Sequence, residues 1–221
     1  MTTRADKGYK GIGMEGQIAR WYATATGKEP ERYADQARQV MERVPSGSKI
    51  LEVAPGPGYL SIALAKTGEY TVTGLDISET FVEIARKNAA GAGVQVEFRQ
   101  GNASAMPFDA GSFDFLVCCA AFKNFSEPVR ALGEMCRVLR PGGNALIIDL
   151  RRDVSKQAVD DDVARLDLGP VDRAFTRFVL RYWLPRRAHT PQEFEAFISQ
   201  TDFRSFDIRK TPLSLEVELQ R

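Results

Sequence analysis

The chain has 221 residues and is 43% hydrophobic, which is enough for one α/β domain with a large core. Its 30 Lys and Arg residues balance 29 Asp and Glu residues, and the net charge of +1 argues against a general nucleic-acid partner. The N-terminus lacks the apolar core of a signal peptide and no run is apolar enough for a membrane span, so we expect a cytoplasmic protein.

The cysteines and the histidine favour no metal site. Cys118 and Cys119 alternate faces of an apolar run, which is typical of small buried hydrophobic residues, and Cys136 leaves the set odd in number. The single histidine, His189, precedes a helix start and is interpreted as a loop residue. We therefore expect a reduced protein without a metal.

Residues 1–48 predict two helices. The first has apolar residues at helical spacing, and these are Met14, Ile18, Trp21 and Tyr22. This aromatic face is expected either to pack on the sheet or to form a flap over a ligand pocket, with Tyr22 or Tyr9 facing that pocket. The second helix covers about residues 31–44 and ends at Pro45-Ser46-Gly47.

Residues 49–150 alternate strand patterns with helix patterns. The predicted strands are Lys49–Ala54, Tyr70–Leu75, Val94–Gln100, Phe113–Phe122 and Ala145–Leu150. Ser78 and Ser126 are the predicted N-caps of two helices, and Pro141-Gly-Gly143 is expected to end the second of them. Strands that alternate with helices require a parallel sheet.

Residues 151–189 interrupt this alternation and predict two helices laid over the core. Their apolar residues are Val163, Leu166, Phe175, Phe178, Val179, Tyr182 and Trp183. Arg173, Arg177 and Arg181 recur every fourth residue and so share one helix face. This face is either a solvated arginine stripe or part of a lid over an acceptor pocket.

The C-terminal residues predict a helix and two strands. Thr190-Pro-Gln-Glu193 forms a capping box, which marks a helix start. Phe203–Ile208 and Leu213–Leu219 are the two strands, and apolar alternation in the second indicates an antiparallel hairpin with one solvated face.

A turn of small residues joins the first predicted strand to its helix. Ala54, Gly56 and Gly58 let backbone approach a ligand closely, and free N–H groups at the helix N-terminus favour a polar or anionic ligand group. Asp76 ends the second strand at the same edge, where a carboxylate accepts both hydroxyls of a ribose. Gly56-x-Gly58-x-x-Ser61 also approaches the fingerprint of a dinucleotide dehydrogenase, so the turn indicates a nucleotide pocket without naming the nucleotide.

These elements predict one α/β domain over residues 1–221. Its expected fold is a Rossmann-like, seven-stranded, mostly parallel sheet with helices on both faces and an antiparallel C-terminal strand hairpin. The expected parts are N-terminal helices (1–48), a cofactor-binding core (49–150), a helical lid-like insertion (151–189) and a C-terminal helix with the hairpin (190–221).

Four stretches in a fixed order identify the nucleotide. They are Leu51-Glu-Val-Ala-Pro-Gly-Pro-Gly58, Gly74-Leu-Asp-Ile-Ser78, Gly101-Asn-Ala103 followed by Met106-Pro-Phe108, and Arg137-Val-Leu-Arg-Pro-Gly-Gly143. Through them the chain resembles the class I S-adenosylmethionine-dependent methyltransferases over residues 49–150, and residues 190–219 fit the strand hairpin of that family. The resemblance implies S-adenosylmethionine as cofactor and S-adenosylhomocysteine as product.

The resemblance implies roles for the residues around the first two strands. Ala54, Gly56 and Gly58 would line the methionine portion of the cofactor, with Glu52 as a supporting acid behind them. Asp76 would hold the ribose hydroxyls. Ala54 stands where the family usually has a glycine, which narrows the turn slightly.

The resemblance implies further contacts around the next two strands. Ile77 would pack on adenine, and Asn102 and Ala103 would meet the adenine edge through an amide and a backbone N–H. Asn102 replaces the usual aspartate and keeps an acceptor without the charge. Backbone at Cys118 and Cys119 would accept from the cofactor's ammonium group. The predicted cofactor-binding set is Tyr22, Glu52, Ala54, Gly56, Gly58, Asp76, Ile77, Asn102, Ala103, Cys118 and Cys119.

No motif identifies the acceptor or a catalytic residue. Methyl transfer from a sulfonium is an in-line displacement assisted mainly by positioning and desolvation, which requires no particular residue. Lys123 and Asn124 follow the fourth strand, where relatives often carry a histidine. Arg151 and Arg152 follow the fifth strand and face either substrate or solvent.

We expect a methyltransferase that acts on a small-molecule acceptor. The chain has no basic bias, and Cys118-Cys-Ala-Ala-Phe122 stands where methyltransferases of bases and glutamine carry an Asn-Pro-Pro-Tyr-type motif. A methyltransferase acting on a macromolecule and a non-catalytic S-adenosylmethionine-binding protein are the alternatives. No pattern addresses the oligomeric state.

Overall fold

The computed structural model describes residues 8–10, 13–27, 30–165 and 169–221. Leu166 lies outside the described residues, as do the side chains of Phe175 and Trp183. The strands are β1 (Lys49–Val53), β2 (Thr71–Asp76), β3 (Glu97–Gln100), β4 (Phe113–Cys119), β5 (Leu139–Leu150), β6 (Ser205–Lys210) and β7 (Ser214–Gln220). The helices are α1 (Gly16–Thr26), α2 (Pro30–Met41), α3 (Tyr59–Ala65), α4 (Glu79–Gly91), α5 (Pro128–Val138), α6 (Lys156–Arg165), α7 (Pro170–Phe178) and α8 (Pro191–Ile198). Within these ranges, no helix is long and apolar enough to cross a membrane.

The seven strands form one sheet in the order β3-β2-β1-β4-β5-β7-β6. The pairs from β3 to β5 are parallel, whereas β7 runs antiparallel to both β5 and β6. The predicted mostly parallel sheet with its antiparallel C-terminal hairpin is confirmed. From β1 the strands are added outward in one direction to β3, and from β4 they are added in the opposite direction. Ligands of open parallel sheets bind beyond the carboxyl ends of the strands at such a switch point.

Helices cover both faces of the sheet because its central strands are apolar on both sides. On one face α5 and α8 pack over β4, β5 and β7, and on the other α2 and α3 pack over β1, β2 and β4. Since successive side chains of a strand point to opposite faces, Glu52 on β1 lies on the α3 face and Asp149 on β5 lies on the α5 and α8 face.

The first helix is shorter than expected and buries a different face. It begins at Gly16 and packs on α4 through Ala19 and Ala23, which are small enough to let two helices approach closely. The prediction that the apolar face with Ile18 and Trp21 packs on the sheet is therefore wrong. Ile18 is exposed and Trp21 is 67% exposed.

The segment from β4 to β5 also differs from the prediction. β4 ends at Cys119 because Ala120 adopts a left-handed φ of 57°, which turns the chain away from the sheet before Phe122. Ser126 does not cap α5, whose N-cap is Glu127 and whose first residue is Pro128. β5 begins at Leu139, so the Pro-Gly-Gly stretch lies inside a strand with an irregular start. The predicted caps at Ser78 and Thr190 are both confirmed.

Candidate functional site

The turn after β1 has left-handed backbone at three positions. Ala54, Gly56 and Gly58 have φ of 58°, 55° and 79°. This conformation disfavours a residue with a Cβ by about 1–2 kcal/mol, so Ala54 is strained. A Cβ on Gly56 would have no neighbour within 4 Å, whereas one on Gly58 would lie 2.7 Å from Phe98 Cζ. Gly56 therefore borders open space in front of the turn, and Gly58 is explained by packing against β3.

Asp76 joins this turn to the end of β2. Its carboxylate accepts hydrogen bonds from the Gly56 N–H and the Ser78 N–H, each at 2.9 Å. The side chain is buried, and burial raises its pKa to about 6 although both N–H groups oppose the rise. A carboxylate offers about four lone-pair positions, so acceptor capacity remains for a hydroxyl donor of a ligand.

Glu52 lies behind the turn and faces α3. The Ser61 hydroxyl, in the first turns of α3, donates a hydrogen bond to its Oε2. The carboxyl is fully buried, and burial raises its pKa to about 7. This arrangement suits a residue that supports the strand-to-helix turn without touching a ligand.

Ile77 and Asn102 lie beside each other where β2 and β3 end. Asn102 Oδ1 accepts from the Ser104 N–H at 2.9 Å, which orients the amide. Ala103 packs against the core cluster of the α5 and α8 face. A Cβ on Gly8 would lie 2.5 Å from Ile77 Cδ1 and 2.8 Å from Asn102 Nδ2, so the N-terminal segment contacts both residues.

This segment, residues 8–10 and 13–16, is called here the N-terminal strap. At one end the Lys10 N–H donates to the Asn124 carbonyl at 2.6 Å, in the loop after β4. At the other end the Ser78 hydroxyl donates to the Met14 carbonyl at 2.6 Å, at the start of α4. The strap therefore runs along the carboxyl edge of the sheet. Its glycines at positions 8, 13 and 16 disfavour a helix in this segment, a signal that the sequence prediction missed.

The two tyrosines proposed to face the pocket lie in different places. Tyr9 forms an isolated antiparallel bridge with Phe125, after β4. Tyr22 packs edge-on against Phe81 of α4, with ring centroids 5.8 Å apart. Tyr9 is thus part of the strap, whereas Tyr22 lies between α1 and α4.

The end of β4 carries the second strained alanine. Ala54 and Ala120 are the two non-glycine residues with positive φ in the described part of the chain, and they follow the two central strands, β1 and β4. Strained backbone persists only where surrounding structure enforces it, and it clusters at functional sites. Burial raises the pKa of both the Cys118 and Cys119 thiols, so these residues offer backbone groups rather than thiolates.

A buried ion pair links the loop after β4 to the end of β5. Lys123 Nζ lies 2.8 Å from Asp149 Oδ1, and the two side chains are 7% and 2% exposed. The Lys123 N–H donates to the other carboxylate oxygen at 2.7 Å, and Nζ also donates to the Ala120 carbonyl. Lys123, a candidate from the sequence, is thus engaged with the protein, and Asp149 was missed. A charge within an apolar strand run was the signal for it, because buried charges require partners.

The arginines after β5 are also engaged. Arg151 pairs with Asp153 at 2.7 Å, and Arg152 pairs with Glu193 at 2.7 Å and donates to the Ala188 carbonyl. Each such surface ion pair contributes about 0–1 kcal/mol to the free energy of unfolding. Their main effect is to orient the chain around the capping box of α8.

Two aromatic side chains of the insertion that the structure describes, Phe178 and Tyr182, are exposed. Arg177 and Arg181 both pair with Asp160 of α6. Phe178 is 57% exposed and its ring centroid lies 5.6 Å from that of Tyr182, which is also exposed. The expected burial of these two aromatics on the core is wrong, because α7 and the helical turn that follows it at Val179–Trp183 both pack on α6.

Comparison with known proteins identifies the central part of this fold. Residues 51–147 match the family described as a methyltransferase domain. The chain is 36% identical over 110 residues to a demethylmenaquinone methyltransferase from Thermus thermophilus, and the match covers 49% of each chain. The chain thus spans about half the length of the curated relatives it matches.

Solved structures share the fold at low sequence identity. An S-adenosylmethionine-dependent methyltransferase from Aquifex aeolicus has a TM-score of 0.64 at 20% identity, covering 87% of this chain and 89% of its own. A cyclase has a TM-score of 0.64 at 18% identity, covering 85% of this chain and 80% of its own. The same sheet therefore supports more than one chemistry, and function has to be argued from the site.

Proposed function

We propose that this chain is a class I S-adenosylmethionine-dependent methyltransferase and that it methylates a small-molecule acceptor; the match of residues 51–147 to a methyltransferase domain supports this. The observation that carries the proposal is the convergence of Gly56, Asp76 and Asn102 at the carboxyl edge beside the β1–β4 switch point. When bound, S-adenosylmethionine supplies an electrophilic methyl group on a sulfonium sulfur, and S-adenosylhomocysteine is left.

The residues at the turn fit this cofactor. Gly56 borders open space that a Cβ would enter, and Asp76 retains acceptor positions for ribose hydroxyls. We assign Ala54, Gly56 and Gly58 to the methionine portion, Asp76 to the ribose, and Glu52 to support of the turn from behind. In this assignment the Gly56–Asp76 hydrogen bond orients both partners toward one ligand.

The remaining cofactor contacts lie along the same edge. We assign Ile77 to the adenine face, Asn102 and Ala103 to the adenine edge, and the backbone of Cys118 and Cys119 to the ammonium group. The strap contacts Ile77 and Asn102 through Gly8, which supports a role in covering the adenine end and excluding water. We also assign Tyr22 to the proposed set, as the aromatic residue of α1 whose ring packs against Phe81 of α4.

The small-molecule character of the acceptor is supported by the names of the relatives. The Thermus protein is a demethylmenaquinone methyltransferase, so a demethylated quinol is the first acceptor to test. The buried Lys123–Asp149 pair fixes the loop after β4 relative to β5, and this rigidity would position an acceptor next to the methyl group. We propose a cytoplasmic location, which the three free cysteines support.

The proposal is tested in two stages with the purified full chain. Calorimetry with S-adenosylmethionine and S-adenosylhomocysteine should give saturable binding of both. Incubation with S-adenosylmethionine and a panel of quinols, phenols and amines, followed by mass spectrometry, should then give S-adenosylhomocysteine and a product in which a methyl group replaces one acceptor hydrogen, released as a proton. Binding without turnover on any acceptor would favour the non-catalytic alternative, and turnover only on protein or nucleic acid would favour a macromolecular acceptor. Absence of cofactor binding would refute the proposal.

A further inference from the structure

We infer that His189 is the polar contact of the acceptor site and hydrogen-bonds through a ring nitrogen to a hydroxyl-bearing aromatic acceptor. The inference rests on the proposed function and names a residue for its second substrate. The first observation is the position of His189 next to the end of β5. The Ala120 N–H, one residue beyond β4, donates the last hydrogen bond from this side to the backbone of β5, at 2.7 Å to the Ile148 carbonyl. Beyond it the Arg152 N–H donates to the His189 carbonyl at 3.2 Å.

His189 therefore takes the place beside β5 that β4 vacates. A parallel bridge between Arg151 and His189 confirms this alignment. The proposed cofactor contacts lie at the ends of β1, β2, β3 and β4, so the adjoining edge over β4 and β5 is where a second substrate would meet the reactive end of the cofactor. His189 lies in the loop before α8, as predicted, and it is buried there, with 5% of the residue exposed.

The second observation is that both ring nitrogens of His189 are buried without a hydrogen-bond partner in the part of the chain that the structure describes. Neither Nδ1 nor Nε2 has a hydrogen-bond partner within the described residues. The carboxylate of Glu193 comes within 3.7 Å of Nδ1, beyond hydrogen-bond range. Buried polar groups in native proteins are nearly always paired, and an exception requires an explanation.

Packing does not require the nitrogens. The ring lies against three phenylalanines, with centroids 5.9 Å from Phe122, 5.8 Å from Phe194 and 5.1 Å from Phe197. A phenyl ring would make the same edge-to-face contacts without burying two polar atoms. The imidazole therefore lowers stability relative to phenylalanine at this position, and binding of a ligand would account for its presence.

The chemistry of the ring defines the ligand. Burial and the nearby charge of Lys10 lower the pKa of His189, so the imidazole is neutral and presents one donor and one acceptor. The aromatic surroundings favour a flat apolar body, and the free nitrogen favours a hydroxyl on it. Phenols and hydroquinones combine both features.

The experiment uses the fact that His189 is the only histidine of the chain, so a spectrum of histidine labelled with ¹⁵N reports on this ring alone. The full-length protein, saturated with S-adenosylhomocysteine, is titrated with 1-naphthol and, separately, with naphthalene. We expect 1-naphthol to shift a ring-nitrogen resonance and naphthalene to shift neither. His189→Phe should bind 1-naphthol about 10-fold more weakly and naphthalene equally well.

Stability supplies the second readout. His189→Phe should raise Tm by about 2–4 °C, because two buried polar atoms are removed while the packing is kept. Gln39→Met is the matched control, since Gln39 Oε1 on α2 is also buried without a partner but lies on the other face of the sheet. It should raise Tm without changing 1-naphthol affinity, and His189→Gln should recover part of the lost affinity.

Several outcomes would overturn the inference. They are 1-naphthol binding that leaves both ring nitrogens unshifted, equal 1-naphthol affinity in His189→Phe, a lower Tm in that variant, or no 1-naphthol binding to the wild-type protein at millimolar concentration. Failure of the proposed function is recognised separately, because it appears as loss of S-adenosylhomocysteine binding in the wild-type protein.

Discussion

Replacement of the buried carboxyl at Glu52 by an amide should change how stability depends on pH. Glu52 lies fully buried behind the turn after β1, with the Ser61 hydroxyl donating to it. In Glu52→Gln the side chain keeps its size and the oxygen that Ser61 contacts, and it loses the titration. We expect the variant to be as stable as the wild type at pH 4 and more stable at pH 8.

The magnitude follows from the pKa. Burial raises the pKa of Glu52 from its ordinary 4.5 to about 7, so between these values the folded state binds more protons than the unfolded state. The free energy of unfolding therefore falls as pH rises, and the contribution that is complete below pH 4.5 is lost as pH passes through about 7. The difference between variant and wild type should reach about 3 kcal/mol at pH 8.

The assay is urea unfolding at intervals from pH 4 to pH 8 for both proteins. Glu195→Gln on α8 is the matched control, because Glu195 is exposed and should give the wild-type curve shape. Other titrating groups, including Asp76, contribute to both curves and largely cancel in the difference. A difference that stays constant with pH, or that favours the wild type at pH 8, would refute the reasoning that Glu52 is buried as an acid.

Three further changes test the turn. Ala54→Gly should raise the free energy of unfolding by about 0.5–1 kcal/mol, because the relieved left-handed strain exceeds the extra conformational entropy that a glycine loses on folding. A decrease measured by urea unfolding would contradict the strain. Gly56→Ala and Gly68→Ala place a Cβ in open space at φ of 55° and 72°. Each substitution should therefore lower the free energy of unfolding by about 1–2 kcal/mol. Calorimetry should show weaker S-adenosylmethionine binding only in Gly56→Ala, and equal losses in both would remove Gly56 from the site. Asp76→Ala should weaken cofactor binding about 100-fold by calorimetry; unchanged affinity would exclude its ribose role.

The fold was predictable because its signals are local and repeated. The apolar runs of β4 and β5, the alternation of β7 and the capping residues Ser78 and Thr190 each appear within a few neighbouring positions. Together they determine the strand count, and alternation with helices then requires the parallel arrangement. The turn after β1 was recognisable for the same reason, since its small residues Ala54, Gly56 and Gly58 alternate with prolines within one short stretch.

The features that were not predicted depend on contacts between distant segments. The strap meets α4 through the Glu15 carboxylate and the Met14 carbonyl, and it meets the loop after β4 through backbone groups, so its contacts join residues far apart in the sequence. The loop position of His189 is visible in the sequence, whereas its burial follows only from the return of the chain beside β5. Lys123 and Asp149 were the exception, since two charges beside buried strands could have been paired from the sequence alone.

The two turns with strained alanines are held in the same way at the carboxyl edge of the sheet. Ala54 and Ala120 each turn the chain away from a central strand, and each turn is fastened by a carboxylate from the neighbouring strand. Asp76 of β2 binds the turn after β1 through the Gly56 N–H, and Asp149 of β5 binds the loop after β4 through Lys123. Both loops are therefore fixed by the sheet itself, so the spacing between the proposed cofactor and acceptor contacts depends on strand register. Methyl transfer by positioning requires this kind of fixed spacing, because misplacement by about 1 Å lowers the rate by about 100-fold.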